Sequence, residues 1–206
     1  ENVGTYAISQ GTLANSNYSI TFVSADLTID ARPLTLTATN RTKTFGDSDP
    51  SLAYTITSGS LVGSDALSGS ISRNSGENIG SYVISQGTLA HSNYAITFND
   101  GSFVINGANQ SGFTLSSADT LVTYQESTTL SVTGGNGNGA VSFEVTDGTG
   151  GCTISGNTVT AVAAGTCVIK VTQAADRNYL VVESDSQTVN ILNFVVNILQ
   201  LFDNPT

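Results

Sequence analysis

Along most of the chain, apolar and polar residues alternate with a period of two. Leu34, Leu36 and Ala38 alternate with Thr35, Thr37 and Thr39, and Tyr54 and Ile56 alternate with Thr55 and Thr57. Tyr82 and Ile84 alternate with Val83 and Ser85, and Tyr94, Ile96 and Phe98 with Ala95 and Thr97. Such runs predict half-buried strands, one face in a core and a hydroxyl-rich face toward water. Phe103–Ile105 adds a further strand. Leu61–Leu67 has loose helical spacing, but its neighbouring glycines favour a short turn.

The pattern repeats. Residues 1–22 (ENVGTYAISQGTLANSNYSITF) and 77–98 (ENIGSYVISQGTLAHSNYAITF) agree at 17 of 22 positions at an offset of 76, without a gap. Chance agreement would be about one or two positions, so the chain contains an internal duplication. The later copy is complete from Arg32 to about Gly107. The first lacks its front half, so the chain reads as a piece of something longer. Its strands, expected at Tyr6–Ser9, Tyr18–Phe22 and Leu27–Ile29, would be orphans with open edges.

After residue 107 the pattern changes. Short strands are predicted at Phe113–Leu115, Leu121–Tyr124, Thr129–Thr133, Val141–Val145 and Cys152–Ile154. More follow at Val159–Ala161, Cys167–Val171, Val181–Glu183 and Thr188–Ile191. Their number and spacing predict a β-sandwich. The GGNGNG tract at 134–139 lacks the Lys-Ser/Thr of a phosphate loop and reads as a flexible hairpin loop. The fold class is therefore all-β, in tandem small domains. The expected boundaries are 1–31 (the end of a truncated repeat), 32–107 (a complete repeat), 108–191 (a sandwich) and 192–206 (an apolar tail).

Composition narrows the function. Six Lys+Arg against sixteen Asp+Glu give a net charge of −10, which provides no basic footprint for nucleic acid. No apolar run reaches the length of a membrane-spanning helix. The chain has one histidine. His91 stands where the other copy has Asn15, an exchange foreign to a catalytic base. The glutamates Glu1 and Glu77 recur between copies, as a structural role would, rather than facing one cleft as a glycosidase pair. No nucleophile, base and acid set is present, so no enzyme is expected.

Two motif groups resemble known modules. Phe45-Gly46-Asp47-Ser48-Asp49-Pro50, Leu61 to Gly69 (LVGSDALSG) and Gly76 to Tyr82 (GENIGSY) resemble the YGX-type MBG repeat. Phe45 stands where that repeat usually carries tyrosine. Gly139 to Phe143, Cys152 to Gly156, Ala164 to Cys167 and Ala174 to Tyr179 resemble a bacterial immunoglobulin-like repeat. Both resemblances imply a spacer or stalk in an extracellular, secreted or surface-attached adhesin-like protein, with neighbouring repeats or copies of itself as partners. A rival reading is an adhesive module recognising a glycan or protein through loops 134–139 or 146–151.

Cys152 and Cys167 are the only cysteines. Ser155-Gly156-Asn157 offers a turn that could lay their strands side by side, predicting a cross-strand disulfide formed in an oxidising compartment. Asp47 and Asp49 are weak candidates for Ca²⁺, the one cofactor considered, since carboxylates beside Gly or Pro more often cap turns. For assembly, the candidates are Tyr6, Ile8, Tyr18, Ile20 and Phe22 at one end and Phe194, Val196 and Ile198 at the other. A strand added in trans there would join copies head to tail into a fibre.

Overall fold

A computed structural model describes residues 1–193. Phe194, Val196 and Ile198, with most of the expected apolar tail, lie outside the described residues. The chain forms two compact units, one of residues 1–43 and 47–105, the other of 44–46 and 106 onward. Both are built from strands, and no helix among the described residues is long and apolar enough to cross a membrane.

The first unit contains β1 (Gly4–Ile8), β2 (Ala25–Ile29), β3 (Arg32–Ala38), β4 (Arg41–Thr44), β5 (Tyr54–Ser58), β6 (Ser72–Arg73), β7 (Gly80–Ser85), β8 (Tyr94–Asn99) and β9 (Gly101–Asn106). The complete repeat stacks a β5-β3-β8 sheet with a β4-β9-β7-β6 sheet, while β1 and β2 pair only with each other. β3 and β8 run parallel, Leu34 opposite Ile96 and Leu36 opposite Phe98. The alternation read from the sequence here becomes a core: Leu34, Leu36, Ile84, Phe103 and Ile105 are buried. Burying each such side chain contributes about 1.5–3 kcal/mol. The chain turns at Thr39-Asn40, so the threonine run from Thr35 to Thr44 is divided between β3 and β4 in different sheets.

One strand expectation fails. Tyr18–Phe22 forms no strand, although 94–99, nearly the same sequence, is β8. A strand needs a neighbour to take its backbone groups. β8 has β3 beside it; among the described residues no strand lies beside 18–22 in that way.

The second unit contains β10 (Thr114–Ser117), β11 (Leu121–Thr123), β12 (Ser127–Thr133), β13 (Val141–Asp147), β14 (Thr153–Ser155), β15 (Thr158–Thr160), β16 (Gly165–Gln173), β17 (Val182–Glu183) and β18 (Gln187–Leu192). Two sheets, β10-β12-β15-β14 and β11-β18-β16-β13 with β17 on β16, form the sandwich. Val122, Leu130, Val159, Cys167, Ile169 and Val189 form the core.

The 134–139 tract is neither a hairpin nor loose. It connects β12 to β13, which lie in different sheets. Gln110 Oε1 accepts from the Asn136 and Gly137 amides, and Gln173 Nε2 donates to the Gly137 carbonyl at 2.8 Å. Asp176 accepts from the Asn138, Asn178 and Tyr179 amides at 2.7–2.8 Å. Those three donors hold its carboxyl below the usual range. Glycine provides the shape, since Gly134 and Gly135 both sit at positive φ.

Candidate functional site

The disulfide joins Cys152 to Cys167 with their Cα atoms 6.2 Å apart. It does not run between neighbouring strands as the turn suggested. Ser155-Gly156-Asn157 instead pairs β14 with β15, whereas Cys167 lies on β16 in the opposite sheet. The bond therefore crosses the core and ties the two sheets together.

Asp49 proves to belong to an ion-pair cluster. Lys43, its side chain only 5% exposed, donates to Asp49 Oδ1 at 2.7 Å and to Glu77 Oε2. Arg73 donates to Asp49 Oδ2 at 2.5 Å and to Glu77 Oε1. Two cations and two carboxylates thus alternate in a ring. Arg73 and then Lys43 pull the Asp49 carboxyl down to about 2, and Lys43 and then Arg73 lower that of Glu77. The same bonds, Asp49 first, raise Lys43. Lys43 also donates to the Asp47 carbonyl at 3.1 Å. Cationic side chains therefore surround the carboxylate considered for calcium. Among the described residues no group of three or more His, Cys, Asp or Glu is placed to hold a metal ion.

The cluster fixes the front of the repeat to its back, since Lys43 lies on β4, Arg73 on β6, and Glu77 just before β7. Sequence reasoning singled out Glu77 by its recurrence but did not pair it with Lys43 or Arg73. The available signal was Lys43 as one of only two lysines in the chain, within an alternating strand.

The two copies share their local geometry. β1 pairs with β2 from Gly4↔Ile29 to Ile8↔Ala25, and β7 pairs with β9 from Gly80↔Ile105 to Ile84↔Gly101, the same register 76 residues on. The Tyr6 hydroxyl donates to the Asn2 carbonyl as Tyr82 does to Asn78, both at 2.8 Å. Gln10 and Gln86 bond the Leu13 and Leu89 carbonyls alike. Asn15 Oδ1 accepts from the Asn17 amide, and His91 Nδ1 from the Asn93 amide, so the imidazole serves as a turn acceptor.

What differs is cover. Tyr18 is 74% exposed where Tyr94 is 7%, and Ile8 49% where Ile84 is 0%. Tyr6 and Phe22 are also exposed, while Ile20 is half-buried. These five assembly candidates therefore lie on one short segment that the described residues leave largely uncovered. Beside it, a recess of about 250 Å³ is lined by Asn2, Val3, Arg32, Asp65, Asn93 and Tyr94, among others. There the Tyr94 hydroxyl donates to Asp65 and accepts from the Val62 amide, both at 2.8 Å.

The architecture is that of tandem small β-domains with no catalytic or metal-holding cluster among the described residues. Compared with known proteins, residues 1–28 and 34–104 match the MBG domain (YGX type). The match to residues 1–28 is in register with the duplication, 76 residues before its counterpart. No curated protein sequence matches the chain. Among solved structures, the chain is similar to murine CEACAM1b at 16% identity, with 55% of this chain and 59% of that one covered and a TM-score of 0.30. The chain thus spans less than two thirds of that structure's length.

Proposed function

We propose that the protein is a spacer: a segment of an extracellular, adhesin-like bacterial protein whose folded domains set distance. The observation that carries this reading is the duplication at 76 residues, preserved in strand register and in local hydrogen bonds. Repetition of a whole structural unit multiplies length, whereas a catalytic site gains nothing from it. The proposed domains are 1–31, 32–107 and 108–191. A disulfide across the sandwich core suits an oxidising compartment outside the cytoplasm, and an acidic chain poor in charge suits neighbouring repeats as partners rather than nucleic acid.

Small-angle scattering of the purified chain tests the reading. A spacer gives a radius of gyration well above the ~17 Å of a compact globule of this length; a value at ~17 Å would count against it. The fibre version further requires Phe194, Val196 and Ile198 to dock on another copy, so deleting residues 194–206 would abolish any filaments.

A second reading, an adhesive module, is favoured by the fixed 134–139 loop. A loop held by Gln110, Gln173 and Asp176 is preorganised for contact. A glycan array probed with the whole chain separates the two, because the spacer binds none of its members selectively.

A further inference from the structure

The glycine tract of the sandwich holds the same reactive pair twice. Asn136 lies between Gly135 and Gly137, and Asn138 between Gly137 and Gly139. An asparagine before glycine can close on itself, because the glycine amide nitrogen reaches the side-chain carbon with no Cβ in its way. Both asparagines have glycine on either side, so their intrinsic tendency to react is the same. Any difference between them in the folded protein is imposed by the fold.

The fold treats them differently. At Asn136 both reacting groups are engaged. Its carboxamide oxygen accepts from the Ser111 amide at 3.1 Å and from the Ser111 hydroxyl at 3.4 Å. The attacking nitrogen, that of Gly137, donates to the buried Gln110 side chain at 2.9 Å. Ring closure there has to break these contacts. At Asn138 the bonds fall elsewhere. Its own amide, a bystander in the reaction, donates to Asp176 Oδ2 at 2.7 Å. Its exposed carboxamide and the Gly139 amide have no hydrogen-bond partner among the described residues. Nor can the fold dispense with the glycine, since a Cβ at 139 would lie 1.8 Å from the Ala174 carbonyl oxygen.

We infer that Asn138 is a site of spontaneous deamidation, and that Gln110 and Ser111 guard Asn136 against it. The Gly139 nitrogen loses its proton and bonds to Asn138 Cγ, the Cγ–Nδ2 bond breaks, and ammonia leaves. Water, the one co-reactant, then opens the cyclic imide at either of its carbonyls. One opening gives aspartate. The other gives isoaspartate, in which the main chain runs through the β-carbon and is one carbon longer. Either product puts a second carboxylate beside Asp176, on the residue whose amide now holds it, and the like charges repel. The loop therefore loosens at its Asp176 anchor as the protein ages, while Gln110 keeps the other anchor. If the loop is the adhesive surface of the second reading, its binding lapses with age; the chemistry itself does not depend on that reading.

The test incubates the whole protein, folded and in urea, at neutral and mildly alkaline pH. Each asparagine is followed by peptide mapping with fragmentation that separates aspartate from isoaspartate. In urea the two should react at the same rate. In the folded protein Asn138 should react at least ~10-fold faster than Asn136, the factor set by opening the bonds that hold Asn136. The Asn138 rate should rise with pH, as more of the attacking amide is deprotonated. Gln110→Ala should bring the Asn136 rate toward that of Asn138. Equal rates in the folded protein, or Asn136 reacting first, would overturn the guard. Asn138 intact in the folded protein while it reacts in urea would overturn the site. Both comparisons use the unaltered protein, so they decide the matter even if Gln110→Ala fails to fold.

Discussion

Arg73 lies with its guanidinium 4.7 Å from the centre of the Phe103 ring and donates to Asp49 at 2.5 Å. One side chain thereby joins the apolar core of the complete repeat to its ion-pair ring. Its planar fork lies over the buried ring and spans Asp49 and Glu77, an arrangement lysine cannot reproduce. Arg73→Lys should lower the melting temperature even though charge is conserved. Amide exchange should rise in β6 and β7 first. A melt unchanged from wild type would show that the fork adds nothing to the charge.

The ring also sets an acid limit. Asp49 ordinarily titrates near 3.8 and is held at about 2. A carboxyl depressed by folding contributes stability above its unfolded value, and that contribution is lost as pH falls through the folded one. The melting temperature of the repeat should therefore stay level down to about pH 4 and fall between about 4 and 2. Both carboxylates are partly in water, so added salt should shrink the effect. Asp49→Asn should melt lower at pH 7 and show a smaller drop across the acid window.

The disulfide prediction concerns the sandwich. Cys152 and Cys167 are separated by 15 residues, and closing a loop of that size contributes about 3 kcal/mol. Reduction, or Cys152→Ser with Cys167→Ala, should destabilise the second unit by about that amount, read as faster exchange in β14, β15 and β16. Exchange in β3 and β8 should not change. The small residue at 167 matters because that site is buried in the core.

Asp176 anchors the glycine loop through three backbone donors. Asp176→Ala should speed exchange at Asn138, Asn178 and Tyr179, with little change at Asn136 and Gly137, which Gln110 holds. Equal loosening across 134–139 would show that the loop opens as one piece.

Strands of the sandwich and of the complete repeat were legible because period-two alternation is local, and so was the duplication. What the sequence could not show depended on partners far along the chain. Tyr18–Phe22 carries the same alternation as Tyr94–Phe98, but among the described residues only the latter has a strand, β3, beside it. The Ser155-Gly156-Asn157 turn was recognisable, yet which strand Cys152 would face depended on how two sheets stack. Nothing in the residues next to Lys43 and Arg73 marks either as buried. Their burial depends on Asp49 and Glu77 arriving from separate loops. Low glycine-loop order was inferred from composition, and the order comes from Gln110, Gln173 and Asp176, residues at a distance.

His91 provides the sharpest check on the division between local and distant encoding. Its Nδ1 accepts from the Asn93 amide at 3.1 Å, and in the other copy Asn15 Oδ1 accepts from Asn17 at 2.8 Å. A side-chain acceptor two residues before the amide it caps is an Asx-type turn, available to either residue. His91→Asn should therefore change stability by no more than about 0.5 kcal/mol, the range for a substitution that keeps its contacts. His91 also packs edge-on against Tyr94, with ring centres 5.1 Å apart, and a pair of that geometry is worth about 0.5–1.5 kcal/mol. If the ring contact governs, His91→Asn will fall outside the expected limit and His91→Phe will come closer to wild type. If the turn governs, His91→Phe will be the more damaging, because it removes the acceptor and keeps the ring. Thermal melts of the two variants side by side decide which interaction the repeat depends on.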